Sequence, residues 1–560
     1  MAGIYHYQNS GYFEEVPKAI PVTVEASIPR GVEDEAFDTE HTDYESQVPK
    51  DHKVTIETTT VEASTPQPSK LNVLYISADD FRPEIGAFLD PETRPWLNSA
   101  IKTPNLDALA ERSLVLRRAY VQVARCNPSR VSIMTSRRPN TTHIINNDKW
   151  FRNVAHGQTI MTIPEYFKMN GYSSVGTGKI FHMLPGVAGT QDQGRSWTTE
   201  FYQPLENYED TVDNSWKAVP KEELVDFPLR DQMTVAHALR ALQYEANRPE
   251  KDKRPFFMAV GMKKPHVPYV FPDEFLEWYP REDIKVAEHD YVPVNMSKWH
   301  WHNSRNTLNF PDIFKYKEAW DINSTLPDNV AIDLRRAYYA SVSYVDSLIG
   351  IILNELDKLQ LRERTIVAFL SDHGYQLGEH GIWGKDTNLE QATNAPMMIS
   401  IPGRTDKRID SFRLIEFVDL FPTLVDAAGL PPLPKCPLYS EEIPACTEGS
   451  SMMPLLNDPS STDPNIKWKD RVFSQYPYPD MGKPEFMGYS VRTKHFLYVE
   501  WIRCKGVVNG VWPEPVFKEL YDIDRDIHQD RNVISDSVYA NKVNELSRLL
   551  RDGWVAALPQ

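Results

Sequence analysis

LNVLYISADD, residues 71 to 80, frames the reading of this chain. A short run rich in Leu, Val, Tyr and Ile reads as a strand buried on both faces, and it stops in two adjacent carboxylates, Asp79 and Asp80. TIVAFLSDHG, residues 365 to 374, repeats the design and ends in Asp372 and His373. YSSVGTGKIFH delivers Lys179 and His182, and PFFMAVGMKKPH delivers Lys264 and His266. Ligands of open α/β sheets bind beyond the carboxyl ends of the strands. Four strands that all end in reactive side chains therefore predict one sheet with one site along its edge.

Helical patterns fall between these strands. In TPNLDALAERSL, Thr103 is a candidate N-cap, Pro104 suits the first helical position, and Leu106, Leu109 and Ala110 share a face. Val342, Val345, Ile349, Ile352, Leu356 and Leu359 recur at spacings of three and four, which predicts a long amphipathic helix feeding the strand at 365–370. Alternating strands and helices imply a doubly wound α/β sheet. After about residue 450 a loop-rich stretch leads to short strand-like runs, RVFSQY, GYSVRT and HFLYVEW, and to a helix near Ala540–Leu550. The expected organisation is an acidic tail over 1–70, a catalytic domain over 71–450 and a smaller α+β subdomain over 451–560. The tail, with TIETTTVEASTPQPSK, is too polar to offset ordering entropy and reads as disordered.

Composition excludes some functions. The net charge of −17 argues against a nucleic-acid partner, and no apolar run is long enough for a membrane span. The first twenty residues show no basic segment followed by an apolar core, so no secretory signal is visible. Of four cysteines, Cys436 and Cys446 stand close in a Pro-rich loop and read as a disulfide in preference to two free thiols, which implies an oxidising compartment. Cys504 carries no evident role.

Asp79, Asp80 and Asp372 form an oxygen-rich set suited to a hard divalent cation. An Asp pair after a strand can also cap a helix, but a second acid at a matching strand end favours the metal. His373 is a less usual calcium ligand. Cys126, in VARCNPSRVSIMTSRRP (123–139), precedes Pro128 at the first turn of a predicted helix, where the macrodipole is positive. It reads either as a low-pKa thiol or as a small buried residue. Arg130 lies one turn on, placed to hold an oxyanion beside it.

CNPSR resembles the Cys-x-Pro-Ser-Arg signature of the type I sulfatases, and ADD, GKIFH, KPH and SDHG follow in the order of that family. The resemblance covers nearly everything after Leu71. It implies an alkaline-phosphatase-like fold, a large mixed sheet flanked by helices, and a cysteine oxidised to formylglycine by a formylglycine-generating enzyme. Asp79, Asp80, Asp372, His373 and residue 126 would hold Ca2+, while Arg130, Lys179, His182, His266 and Lys385 would surround the sulfate. His266 or Lys385 would protonate the leaving alcohol, and His182 would accept a proton afterwards. The family signature continues to Thr-Gly, whereas Thr135-Ser136 stand here.

The longer matches, such as SDHGYQLGEHGIWGK and MGYSVRT, imply hydrolysis of the 2-O-sulfate of iduronate-type residues in heparan or dermatan sulfate. Three alternatives stay open: another sulfated polysaccharide, a phosphate or phosphonate monoester hydrolase of the same superfamily, and a glycan-binding homologue without catalysis. The resemblance also implies a lysosomal or secreted monomer, and Asn140, Asn295 and Asn323 lie in N-x-[ST] sequons consistent with that route.

Overall fold

The computed structural model describes residues 70–559 apart from 90–100, 185–190, 205–208, 210–211, 302–304, 317–320, 459–460, 480–482 and 505–511. The expected disordered tail lies outside the described residues, save Lys70.

Seven strands form the main sheet: β1 (Asn72–Ala78), β2 (Leu114–Tyr120), β3 (Ser173–Gly178), β4 (Phe256–Gly261), β5 (Thr365–Ser371), β6 (Met397–Ser400) and β7 (Ile409–Glu416). Their spatial order is β7-β2-β6-β5-β1-β4-β3, and β6 alone runs against its neighbours, so the sheet is mixed. β1 is central and wholly buried. Leu74, Ile76 and Ala78 face one apolar core with α1 (Pro104–Ala110), α3 (Arg230–Ala246) and the 31-residue α4 (Asp328–Lys358). Val73 and Tyr75 face the opposite core, where α2 (Cys126–Thr135) packs through Val131, Ile133 and Met134. Coverage on both faces is why β1 reads as a nearly continuous apolar run. Thr103 does precede α1, but its side chain makes no capping bond and its hydroxyl reaches Asp107 instead.

Register brings the strand ends together. Ala78 is level with Ser371, and the Asp372 amide donates to the Ala78 carbonyl at 3.2 Å. Gly178 is level with Gly261 in the β3–β4 pair. Side chains cannot be added there, because a Cβ on Gly261 would lie 2.1 Å from the Lys179 carbonyl oxygen.

The C-terminal part is a four-stranded antiparallel sheet in chain order, β8 (Arg471–Tyr478), β9 (Phe486–Thr493), β10 (Phe496–Arg503) and β11 (Phe517–Asp522). The helix α5 (Ala540–Asp552) covers it through Leu546 and Leu550, which meet Val491, Tyr498 and Leu520. The sequence analysis missed β11, whose alternation is broken by Lys518 and by the buried Glu519.

Cys436 and Cys446 are joined as a disulfide. Its loop is clamped by buried Arg137, which donates to the carbonyls of Ser440 (2.8 Å), Ile443 (2.7 Å) and Cys446 (3.1 Å). Ser136, just ahead, closes α2 in the left-handed conformation with φ 52°. Glycine is the residue such a helix end favours, yet the Ser136 hydroxyl donates to the Val418 carbonyl and meets the Thr447 hydroxyl at 2.7 Å. Two hydrogen bonds in a buried site offset the backbone cost. Ser136→Ala keeps the strained backbone and loses both bonds, so it should destabilise by about 1–2 kcal/mol. Ser136→Gly loses the bonds but relieves about 1 kcal/mol of backbone strain, and should stay within about 1 kcal/mol of the native protein. Urea unfolding midpoints of the two variants check the difference.

Candidate active site

Cys126 is the first residue of α2 and is 1% exposed. Its Sγ lies 3.4 Å from Asp79 Oδ1 and 3.3 Å from Lys385 Nζ. Burial and Asp79 push the thiol up, Lys179 and Lys385 pull it down, and the cations prevail, leaving it below the usual thiol range. The residue is buried, as one reading expects, but its sulfur sits in a charged pocket.

The carboxylates are held by three cations. Lys179 pairs with Asp79 and Lys385 with Asp80. Arg130 Nε donates to Asp372 Oδ2 at 2.9 Å, and its Nη1 donates to the carbonyls of Lys179 (2.5 Å) and Ile180 (3.2 Å). Its Nη2 lies 3.8 Å from Asp79 Oδ1 and has no hydrogen-bond partner among the described residues. Arg130 is thus spent on one side and leaves a single N–H edge for an anion. Asp79 is driven well below the usual carboxylate range: burial opposes ionisation, but Lys179, His266 and Arg130 outweigh it. Burial and Asp79 push Asp80 up to about 7 despite Lys385. Asp80 also adopts φ 62°, a left-handed conformation that aspartate tolerates better than most non-glycine residues.

Asp79, Asp80, Cys126 and His373 each offer one ligand atom within 4.8 Å of the others. Asp80 Oδ2 and His373 Nε2 are buried with no hydrogen-bond partner among the described residues. The orphaned Asp80 oxygen beside an ionised carboxylate fits a divalent cation, and His373, which Asp372 raises to about 9 against burial, would give up its Nε2 proton to join it. Asp372 stands at the margin of this group. Its Oδ2 is 3.5 Å from His373 Nε2 and its Oδ1 accepts the Asp80 amide at 3.2 Å, so it also fixes the turn after β1.

The two remaining histidines lie near the same charges. His266 Nδ1 contacts the Val267 carbonyl at 2.6 Å, which makes it the donor and leaves Nε2 to exchange a proton. Burial first, then Lys385, holds this imidazole well below the usual histidine range. His182 is lowered to about 3 by burial and Lys179. Lys264, by contrast, points away. It is fully buried and donates to the carbonyls of His266 (3.1 Å) and Pro268 (2.6 Å), so it shapes the turn that carries His266.

Sequence reasoning did not single out Asn127 and Ser129, which the structure uses as braces. Asn127 Nδ2 donates to the carbonyls of Asn146 and Lys149, and the Ser129 hydroxyl donates to the Asp372 carbonyl. Both lie inside CNPSR, and that was the only available signal, since their partners are distant in the chain.

Residues 71–430 match the family model described as Sulfatase, and residues 378–554 match that described as N-sulphoglucosamine sulphohydrolase, C-terminal. The chain is 33% identical to mouse (Mus musculus) iduronate 2-sulfatase over 539 residues, covering 85% of this chain and 93% of that protein. It is 34% identical to the human (Homo sapiens) enzyme over 532 residues, covering 83% and 92%. Among solved structures, BT4656 in complex with its substrate D-glucosamine-2-N,6-O-disulfate superposes with a TM-score of 0.63 at 20% identity, covering 86% of this chain and 97% of that one. The phosphonate monoester hydrolase of Agrobacterium radiobacter gives 0.61 at 19% identity, covering 88% and 97%. At these identities the two structures establish the fold alone.

Arg130→Met leaves Asp372 buried without its cation and should destabilise the protein by about 3–5 kcal/mol. Arg130→Lys keeps the charge but loses the bonds to the two carbonyls, and should cost less than half as much. Urea unfolding of both variants reads the order.

Proposed function

The chain belongs to the sulfatase family, and on that premise we propose that it removes the 2-O-sulfate of iduronate-type residues in heparan or dermatan sulfate, using formylglycine at position 126 and calcium. What carries the reading is Cys126, buried between Asp79 and Lys385 at the mouth of α2. The substrate assignment is supported by 33–34% identity to two iduronate 2-sulfatases over most of the chain.

Hydrated formylglycine supplies an attacking hydroxyl, and calcium supplies the positive charge that favours its ionised form. Asp79, Asp80, Asp372 and His373, with residue 126, would hold the cation. Arg130 presents Nη2 to the sulfate oxygens, and Lys179 and Lys385 add charge where the reaction concentrates it. Lys385 is tied to Asp80 and keeps its proton well above the usual lysine range. His266, depressed first by burial and then by Lys385, and Lys385 itself are the two candidates for the proton donor to the leaving alcohol. His182, neutral across the physiological range, accepts the proton in the step that releases sulfate. By resemblance, maturation by a formylglycine-generating enzyme takes place on a lysosomal or secreted route. No helix among the described residues is long and apolar enough to cross a membrane.

Cys126→Ala should abolish sulfate release from an aryl iduronide 2-sulfate while circular dichroism stays native. Turnover retained in the folded variant contradicts the mechanism, and faster cleavage of an aryl phosphate by the native protein moves it to the phosphate and phosphonate hydrolases. Asp372→Asn should lose calcium and activity together. Unchanged calcium content in that variant removes Asp372 from the ligand set.

A further inference from the structure

A cavity of about 220 Å³ adjoins the catalytic pocket and shares Lys179 and His182 with it. Its remaining wall includes Arg230, Asp231 and Thr234 from the first turns of α3 and Lys263 from the turn after β4. A water occupies about 30 Å³ of liquid, so the space accepts a compact ion with part of its hydration. Gly178 keeps it open, since a Cβ there would lie 2.7 Å from Thr234 Cγ2.

The carboxylates at this wall are committed to the scaffold. Asp231 accepts the backbone amides of Lys263 (2.8 Å) and Lys264 (2.9 Å). Glu209 Oε2 lies 3.0 Å from Lys264 Nζ and 3.5 Å from Lys263 Nζ, and its Oε1 accepts the Arg230 amide at 3.2 Å. Among the described residues Lys263 and Arg230 line the cavity, and the Asp231 carboxylate that shares the wall is taken up by the two backbone amides. Burial first, then Lys264, lowers Lys263 to about 8 against the pull of Glu209. Thr234 is fully buried, and its hydroxyl has no hydrogen-bond partner among the described residues. A buried hydroxyl left unpaired normally costs free energy unless a ligand satisfies it.

We propose that this cavity is a second oxyanion subsite, in which Lys263, Arg230 and Thr234 bind a carboxylate or sulfate group beside the scissile sulfate. It deepens the proposed function and rests on it for the identity of the substrate. Two sources share this chemistry: another anionic group of the same saccharide, and the inorganic sulfate leaving the reaction. Lys263 and Thr234 are positioning residues in either case, because neither touches the sulfur undergoing attack.

The test uses Lys263→Met and Thr234→Val in the full-length protein. Calorimetry with inorganic sulfate reads the subsite without turnover, so it stands even if the sulfatase reading fails. A weakening of sulfate binding by at least fivefold in both variants is expected, and Thr234→Val, nearly isosteric, answers if Lys263→Met does not fold. Steady-state kinetics then separate the sources. If the subsite holds the saccharide, the KM ratio of an aryl iduronide 2-sulfate to a simple aryl sulfate rises at least fivefold. If it holds departing sulfate, product inhibition by sulfate weakens for both substrates and the KM ratio stays put. Native sulfate affinity together with native KM ratio and inhibition constant in folded variants overturns the proposal.

Discussion

Asp79, Asp80 and Asp372 place their carboxyl groups where water is essentially absent. Taking one ion out of water costs several kcal/mol even after relaxation, and three side by side repel one another as well. Lys179, Lys385 and Arg130 answer them one to one. The balance is close but uneven: Asp79 stays firmly ionised, while Asp80 rises to about 7 and keeps an oxygen without a partner.

The fold exists in a form that supports this concentration of charge. Adjacent parallel strands, in register to the last residue, bring Asp79 and Asp372 out of the sheet together. The same register puts Lys179 next to the end of β4, with glycines where the backbones crowd. α2 then aims its first residue at the carboxylates, and the helix's positive end favours the thiolate there as it would any developing anion. Because the disulfide loop is clamped to the far end of α2 through Arg137, the helix is fixed at both ends. Position 126 is consequently held against the carboxylates by the whole domain rather than by a loop.

Much of this was legible in the sequence because strand and helix signals are local. The acids at 79, 80 and 372, Lys179, and the histidines at 182, 266 and 373 could be drawn together from strand ends, whereas Lys385 came only from the family resemblance. Their pairing could not be read. Arg130 was expected to hold an oxyanion; its Nε instead binds Asp372, 242 residues away, its Nη1 binds two carbonyls, and Nη2 has no hydrogen-bond partner among the described residues. Lys264 was expected at the site with His266, but burial beneath the turn gives it a structural role. β11 was missed because two charged side chains interrupt its pattern, and Glu519 is tolerated there only through partners such as the Trp501 indole. In each case the deciding partner lies in another segment, beyond the reach of periodicity or composition.

Every catalytic role assigned to the pocket depends on what stands at residue 126. Peptide mass spectrometry across positions 123–139 of protein purified from its native source tests this most directly. The account predicts a mass corresponding to formylglycine in place of cysteine. An intact thiol at Cys126 in protein that hydrolyses sulfate esters would contradict it.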